Sequence, residues 1–161
     1  MTSHKLRGPI NSLLSAQTLN RLKNMADIYS KKKRSAIMAS VKQQRTAPEE
    51  LVAQILKACG IRFRRNVCSL PGQPDFVIIA SRAVVFVHGC FWHGHEKCGR
   101  GRPPNSNKAF WREKVARNRR RDGRVARTLR GMGWHVITLW QCRLRKREQV
   151  RKRLARLLGK A

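Results

Sequence analysis

The sequence predicts one α/β domain, a single sheet covered by helices. Three observations predict it. A chain of 161 residues suits one ordinary domain better than two. Apolar spacing switches along the chain between the 3.6-residue period of helices and the two-residue period of strands. The predicted elements follow in the order α, α, β, β, β, α, β, α with no internal repeat.

Residues 1–24 contain no acid and read as a basic, flexible extension or an upstream start before Met25, in preference to an organellar presequence. Residues 25–161 form the domain. In SKKKRSAIMASV (30–41), Ile37, Met38 and Val41 share one side of a helix whose other side is basic. Thr46-Ala47-Pro48-Glu49 fits a capping box with proline in the first turn. Leu51, Val52, Ile55 and Leu56 continue that helix until Gly60 stops it. A short strand is expected over 61–66, a turn at LPGQP, and two β-branched runs, DFVII (75–79) and AVVFVH (83–88), complete a meander of three strands. Residues 89–109, rich in Gly, Pro, Asn, Cys and His, form a long loop of the kind that function or a metal maintains. Helical spacing returns over 110–130, where Asn118 and Asp122 interrupt the stripe of Trp111, Val115, Val125 and Leu129. WHVITLW (134–140) reads as a fourth strand, and 145–158 as a final basic helix.

Lys and Arg number 37 against 8 Asp and Glu, a net charge of +29. So cationic a surface points to a polyanion, with nucleic acid the leading class, and makes binding steeply salt-dependent. No run of 18 apolar residues exists to span a bilayer, so no membrane role is expected. Five cysteines, an odd number, and an N-terminus MTSHKLRGPI without an apolar core fit a reducing cytoplasm, with thiols serving as metal ligands or core residues.

With only eight acids, a divalent-cation site has few sources. Asp75 stands at the mouth of an apolar strand, where a carboxylate needs a metal or a donor; the alternative is a turn aspartate accepting amide hydrogen bonds. His88-Gly89-Cys90-Phe91-Trp92-His93-Gly94-His95-Glu96-Lys97-Cys98 packs three histidines and two cysteines into eleven residues. Cys90, His95 and Cys98, closed by Cys142, suit a tetrahedral zinc ion, and His93 in place of His95 is equally feasible by spacing. Cys59 and Cys68 read as ordinary thiols. Phe91 and Trp92, with Trp111, are either core or apolar wedges that separate stacked bases.

With LPGQPDFV (70–77), FVHGCFWHGHEKC (86–98), FWREKVARNRRRD (110–122) and LWQC (139–142) in that order, the sequence resembles the very-short-patch repair (Vsr) DNA mismatch endonucleases over about residues 25–158. The resemblance implies a restriction-endonuclease-like core, a mixed central sheet flanked by helices with a structural zinc site. It also implies nicking of one strand beside a T:G mismatch left by deamination of 5-methylcytosine, on double-stranded DNA, by a monomer in the nucleoid-associated cytoplasm. By the same resemblance Asp75 and the carbonyl of Val87 hold magnesium, His93 is the general base, and His88 and Asp122 support it. Glu49 reaches the metal shell through water, although its capping role accounts for it equally well. Cys90, His95, Cys98 and Cys142 match the zinc ligands, Phe91, Trp92 and Trp111 the intercalating aromatics, and the basic segment before Thr46 the region that embraces DNA from the other groove. The acid and lysine that nucleases of this fold carry on the second hairpin strand are replaced here by Phe86-Val87-His88. The competing reading is a zinc-stabilised basic nucleic-acid-binding module without catalysis, and a ribosomal-type protein stands third. The binding module does not explain Asp75, His88 and Asp122 together, and a ribosomal-type protein would need neither mismatch preference nor magnesium.

Overall fold

The computed structural model of the protein describes residues 44–102 and 107–159. The extension 1–24 and the cationic helix expected over 30–41 lie outside them. Helix α1 (Ala47–Ala58) is followed by β1 (Arg64–Arg65), β2 (Phe76–Ile78), β3 (Ala83–His88), helix α2 (Lys108–Gly131), β4 (His135–Trp140) and helix α3 (Arg147–Leu157). The sheet order is β1-β2-β3-β4, with β1-β2-β3 antiparallel and β4 parallel to β3. The expected meander and mixed sheet are therefore present.

Side-chain alternation along the strands divides the apolar residues between two faces. On one face Phe76, Ile78, Ala83, Val85, Ile137 and Leu139 pack with α1 residues Val52, Ile55 and Leu56 and with Val150 and Leu154 of α3. On the other, Val77 and Val84 pack against Leu129 of α2, with Val125, Phe86, Trp134 and Val136 around them. Fully buried side chains such as Leu56, Leu129, Leu139 and Leu154 each contribute about 1.5–3 kcal/mol relative to exposure.

Three sequence expectations change at their edges. The strand expected over 61–66 contracts to Arg64–Arg65, because Ile61 is drawn into the α1 core while Arg65 turns to a bidentate pair with Glu50 at 2.6 and 3.0 Å. The final helix begins at Arg147, since a 3-10 turn over Gln141–Arg145 intervenes and buries Leu144. The capping box is also altered. Thr46 makes no side-chain bond to the helix amides; its hydroxyl donates to Glu49 Oε1 at 2.6 Å, and Glu49 Oε2 accepts the N–H of Arg45 at 2.9 Å.

Candidate active site and metal centre

The parallel pairing of β3 with β4 ends with His88 opposite Trp140, so two rings leave the sheet together at its C-terminal edge. The loop that follows β3 folds back over them, held by the His93 amide donating to the Gly89 carbonyl at 3.2 Å and the His95 amide to Cys90 at 2.9 Å. Gly94 makes that path possible. Its φ is +61°, and a Cβ there would stand 2.5 Å from Val115 Cγ1 of α2.

Asp75, just before β2, accepts the Val87 amide at 2.7 Å through Oδ2. No cationic side chain pairs with it among the described residues. Burial pushes its carboxyl up to about 6; the Val87 hydrogen bond opposes this, the Glu49 charge adds to it, and the His93 charge opposes it. A buried carboxylate without a cationic partner, which also feels the charge of Glu49, has the oxygen-donor chemistry that suits a hard divalent ion such as magnesium. Glu49 is buried, with both oxygens engaged at the start of α1. The sequence left its cap and metal roles open; Glu49 bonds the Arg45 amide and the Thr46 hydroxyl at the helix start, without the reciprocal cap from Thr46 to the helix amides.

His93 Nδ1 lies 2.5 Å from Asp122 Oδ2, across from α2. Burial alone would raise the Asp122 carboxyl, but the His93 hydrogen bond and charge, with His88 and Arg121, hold it below the usual range. His88 stacks on His93 with centroids 3.8 Å apart and planes at 10°. Burial, then the His93 charge, drives the His88 imidazole down to about 4, so it is neutral at physiological pH. Donor atoms of His88, His93 and Asp122 lie within 4.8 Å of one another, whereas Asp75 stands outside that cluster. Asn118, the other polar interruption of α2, donates to the Trp92 carbonyl at 2.8 Å and fixes the loop beside His93.

Cys90, His95, Cys98 and Cys142 also place one ligand atom each within 4.8 Å of one another, Cys90 and His95 being buried. His95 Nδ1 is 3.3 Å from Cys142 Sγ. Burial pushes the Cys90 thiol up to about 11. Burial also opposes the Cys98 thiolate, but hydrogen bonds from Cys90 and from the Arg100 and Gly101 amides overcome it and lower that thiol. Three sulfurs and one imidazole in a closed set fit a structural tetrahedral ion such as zinc. Of the two histidines compatible with the spacing, the geometry puts His95 in this group and leaves His93 with Asp122.

Phe91, Trp92 and Trp111 meet edge to face, with Phe91 5.0 Å from Trp92 and 5.1 Å from Trp111. They are partly exposed and stand apart from both apolar cores. Phe110, half exposed, extends the group at 5.2 Å from Trp111, and the Lys114 ammonium lies 5.7–5.9 Å from the Trp92, Trp111 and Phe110 rings.

The family model for the DNA mismatch endonuclease Vsr matches residues 26–100. The DNA mismatch endonuclease Vsr of Escherichia coli K12 is 42% identical over 126 residues, covering 78% of this chain and 80% of that protein. The chain belongs to the Vsr family. Two type II nicking enzymes are also similar: V.NmeAIP of Neisseria meningitidis, 41% identical over 83% of this chain and 95% of its own length, and V.XorIIP of Xanthomonas oryzae pv. oryzae, 41% identical over 83% and 98%.

In this Vsr-family chain a cleft of about 780 Å³ is lined by His88, His93, His95, Asp122 and Trp140 and by Glu96, Lys97, Arg119, Arg143 and Arg153. Every carboxylate among the described residues has a hydrogen-bond or ion-pair partner: Glu50 pairs with Arg65, Glu96 with Arg119, Glu113 with Arg117 and Glu148 with Arg151, besides Glu49, Asp75 and Asp122. Four basic side chains against Glu96 and Asp122 leave the lining of the cleft net cationic. Sequence reasoning passed over Trp140, Phe110 and Lys114. Trp140 carried one available signal, its place two residues before Cys142.

Proposed function

We propose that this protein is a magnesium-dependent endonuclease that nicks one strand of double-stranded DNA beside a T:G mismatch, the lesion left by deaminated 5-methylcytosine. Membership in the Vsr family supplies mismatch endonuclease activity; the observation that carries the catalytic reading is the His93–Asp122 pair, 2.5 Å apart in a basic cleft. Asp122 accepts the Nδ1 proton of His93, which leaves Nε2 free to take a proton from the attacking water. Neutral His88 backs the His93 ring without opposing the positive charge that develops on it. Asp75 and the Val87 carbonyl are the residues to hold magnesium, with Glu49 acting through water. Bound there, the ion would neutralise charge on the phosphorane-like transition state and assist the leaving oxygen. Cys90, His95, Cys98 and Cys142 hold zinc, and Phe91, Trp92 and Trp111 wedge into the duplex at the mismatch.

On this reading the core is restriction-endonuclease-like and spans residues 25–161. The segment before Thr46 closes on DNA from the opposite groove, and the enzyme acts as a monomer at the nucleoid in the cytoplasm. No helix among the described residues is long and apolar enough to cross a membrane.

Nicking of labelled T:G duplexes that differ in flanking sequence, with and without magnesium, tests the function. Strand-specific cleavage only with magnesium and only of mismatched duplex is expected; tight binding with no cleavage would leave a passive module. His93→Ala should lower the nicking rate about 10²- to 10⁴-fold with metal content unchanged. Release of a stoichiometric metal ion by that variant would interchange the His93 and His95 assignments. Trp92→Ala should weaken binding of T:G duplex by about 1–3 kcal/mol, the range for losing one aromatic stack on a base, with a smaller effect on matched duplex. Competition binding measures both, and equal losses would return Trp92 to a packing role.

A further inference from the structure

Four rings interleave at the C-terminal edge of the sheet, two from strand ends and two from the loop over them. His95 stacks on Trp140 with centroids 4.2 Å apart and planes at 8°. Trp140 meets His88 edge to face at 5.4 Å and 77°. His88 then stacks on His93 at 3.8 Å, and His93 bonds Asp122. The series begins at a member of the cysteine–histidine cluster and ends at the residues assigned to proton transfer. Trp140 is its second member, the one ring among the described residues that meets both His95 and His88, and both it and His88 are pinned by β3–β4 pairing.

We propose that Trp140 is a positioning residue, the ring through which the orientation of His95 in the metal cluster fixes the orientation of His88 and hence of the His93–Asp122 pair. The inference rests on the catalytic reading above for its consequence in nicking, while the physical coupling it asserts does not. Rings in face contact, as in the two stacked pairs, or in edge-to-face contact, as between Trp140 and His88, resist tilting, because a tilted ring loses contact area and meets its neighbour at the wrong edge. Binding of a metal ion by Cys90, His95, Cys98 and Cys142 locks the first ring of the series, and side chains that are already close-packed pass that restraint on with little slack. The sheet alone does not supply it, since His93 and His95 are both carried by the loop. Among the described residues the ring contacts of Trp140 are with His88 and His95, so its effect on the reaction runs through them.

The test compares wild type, Trp140→Phe and Trp140→Leu, each as the full chain with its cluster metal bound. Histidine ¹⁵N–¹H spectra are recorded before and after the metal is removed by a chelator, alongside steady-state nicking of a T:G duplex. In wild type, metal removal should shift or broaden the His88 and His93 ring signals as well as that of His95. In Trp140→Leu, which has no flat ring, removal should move His95 while the His88 signal, already displaced, no longer responds. Nicking by Trp140→Leu should fall tenfold or more in kcat with KM within twofold, and Trp140→Phe should recover most of the loss. A Trp140→Leu chain that binds metal, nicks with wild-type kcat and keeps the coupled ring signals overturns the proposal. Should Trp140→Leu fail to fold, wild-type spectra in which metal removal leaves His88 unmoved overturn it equally. If wild type does not nick T:G duplex at all, the function proposed above fails while the spectra still decide the coupling.

Discussion

Replacing Asp75 with asparagine is expected to abolish nicking and, in the absence of divalent ions, to make the folded domain more stable at neutral pH. Both effects have one source. Burial raises the Asp75 carboxyl to about 6 from an ordinary value of 3.8, so the folded chain holds a proton there more tightly than the unfolded chain. The stability contributed by the protonated form is fully present below about pH 4 and is lost as pH rises through 6. Asparagine stays neutral throughout and keeps an oxygen to accept the Val87 amide, so its advantage should appear between pH 4 and 6. It should level off near pH 7 at about 3 kcal/mol, given roughly 1.4 kcal/mol per unit of pKa. Denaturant unfolding of the two proteins across that range measures the gain; an Asp75→Asn chain less stable than wild type at pH 7 would refute the desolvated carboxylate. Magnesium should stabilise wild type and leave the variant unmoved. Nicking of T:G duplex should fall at least about 10³-fold, the loss of a metal's charge stabilisation being worth several kcal/mol, with mismatch binding retained. Wild-type nicking by the variant would remove Asp75 from the mechanism.

The second large effect concerns the cysteine–histidine cluster. Cys142→Ser should release one equivalent of bound zinc and lower the melting temperature by about 10 °C or more. Cys142 ties the exit of β4 to the loop that carries Cys90, His95 and Cys98, so losing its sulfur unfastens the loop from the sheet. Structural zinc sites contribute many kcal/mol to folding, and even about 4 kcal/mol would produce this shift in a domain of this size. Metal analysis with calorimetry provides the check. An unchanged metal content would show that Cys142 does not complete the site. The same variant should also lose nicking, because His93 sits in the same loop.

Much of this architecture was readable from spacing. Helix α1 announced itself through Pro48 and the Val52-Ile55-Leu56 stripe, and β3 through its β-branched run. Asn118 and Asp122 stood out as polar residues on an apolar stripe, and both now have loop partners to explain them. The cysteines of the cluster were also apparent, because sulfur at short loop spacing has few other uses. What stayed hidden depends on contacts between distant segments. No local pattern separates His93 from His95 as a ligand, since both are one step from Gly94; the choice is made by Asp122 on α2 and Cys142 beyond β4. The 3-10 turn before α3 is set by burial of Leu144, and the shortness of β1 by the Arg65–Glu50 pair across to α1. Trp140 looked like one more strand residue because its two ring partners arrive from elsewhere in the chain.

The pairing of every described carboxylate with a hydrogen-bond or ion-pair partner bears on how such a chain finds its target. With its negative groups held close by partners, the exterior presents intact duplex with attraction almost everywhere and repulsion almost nowhere. Undamaged genome then acts as a sink, and the time spent bound to ordinary base pairs, rather than the cutting step, is what rising ionic strength should shorten first.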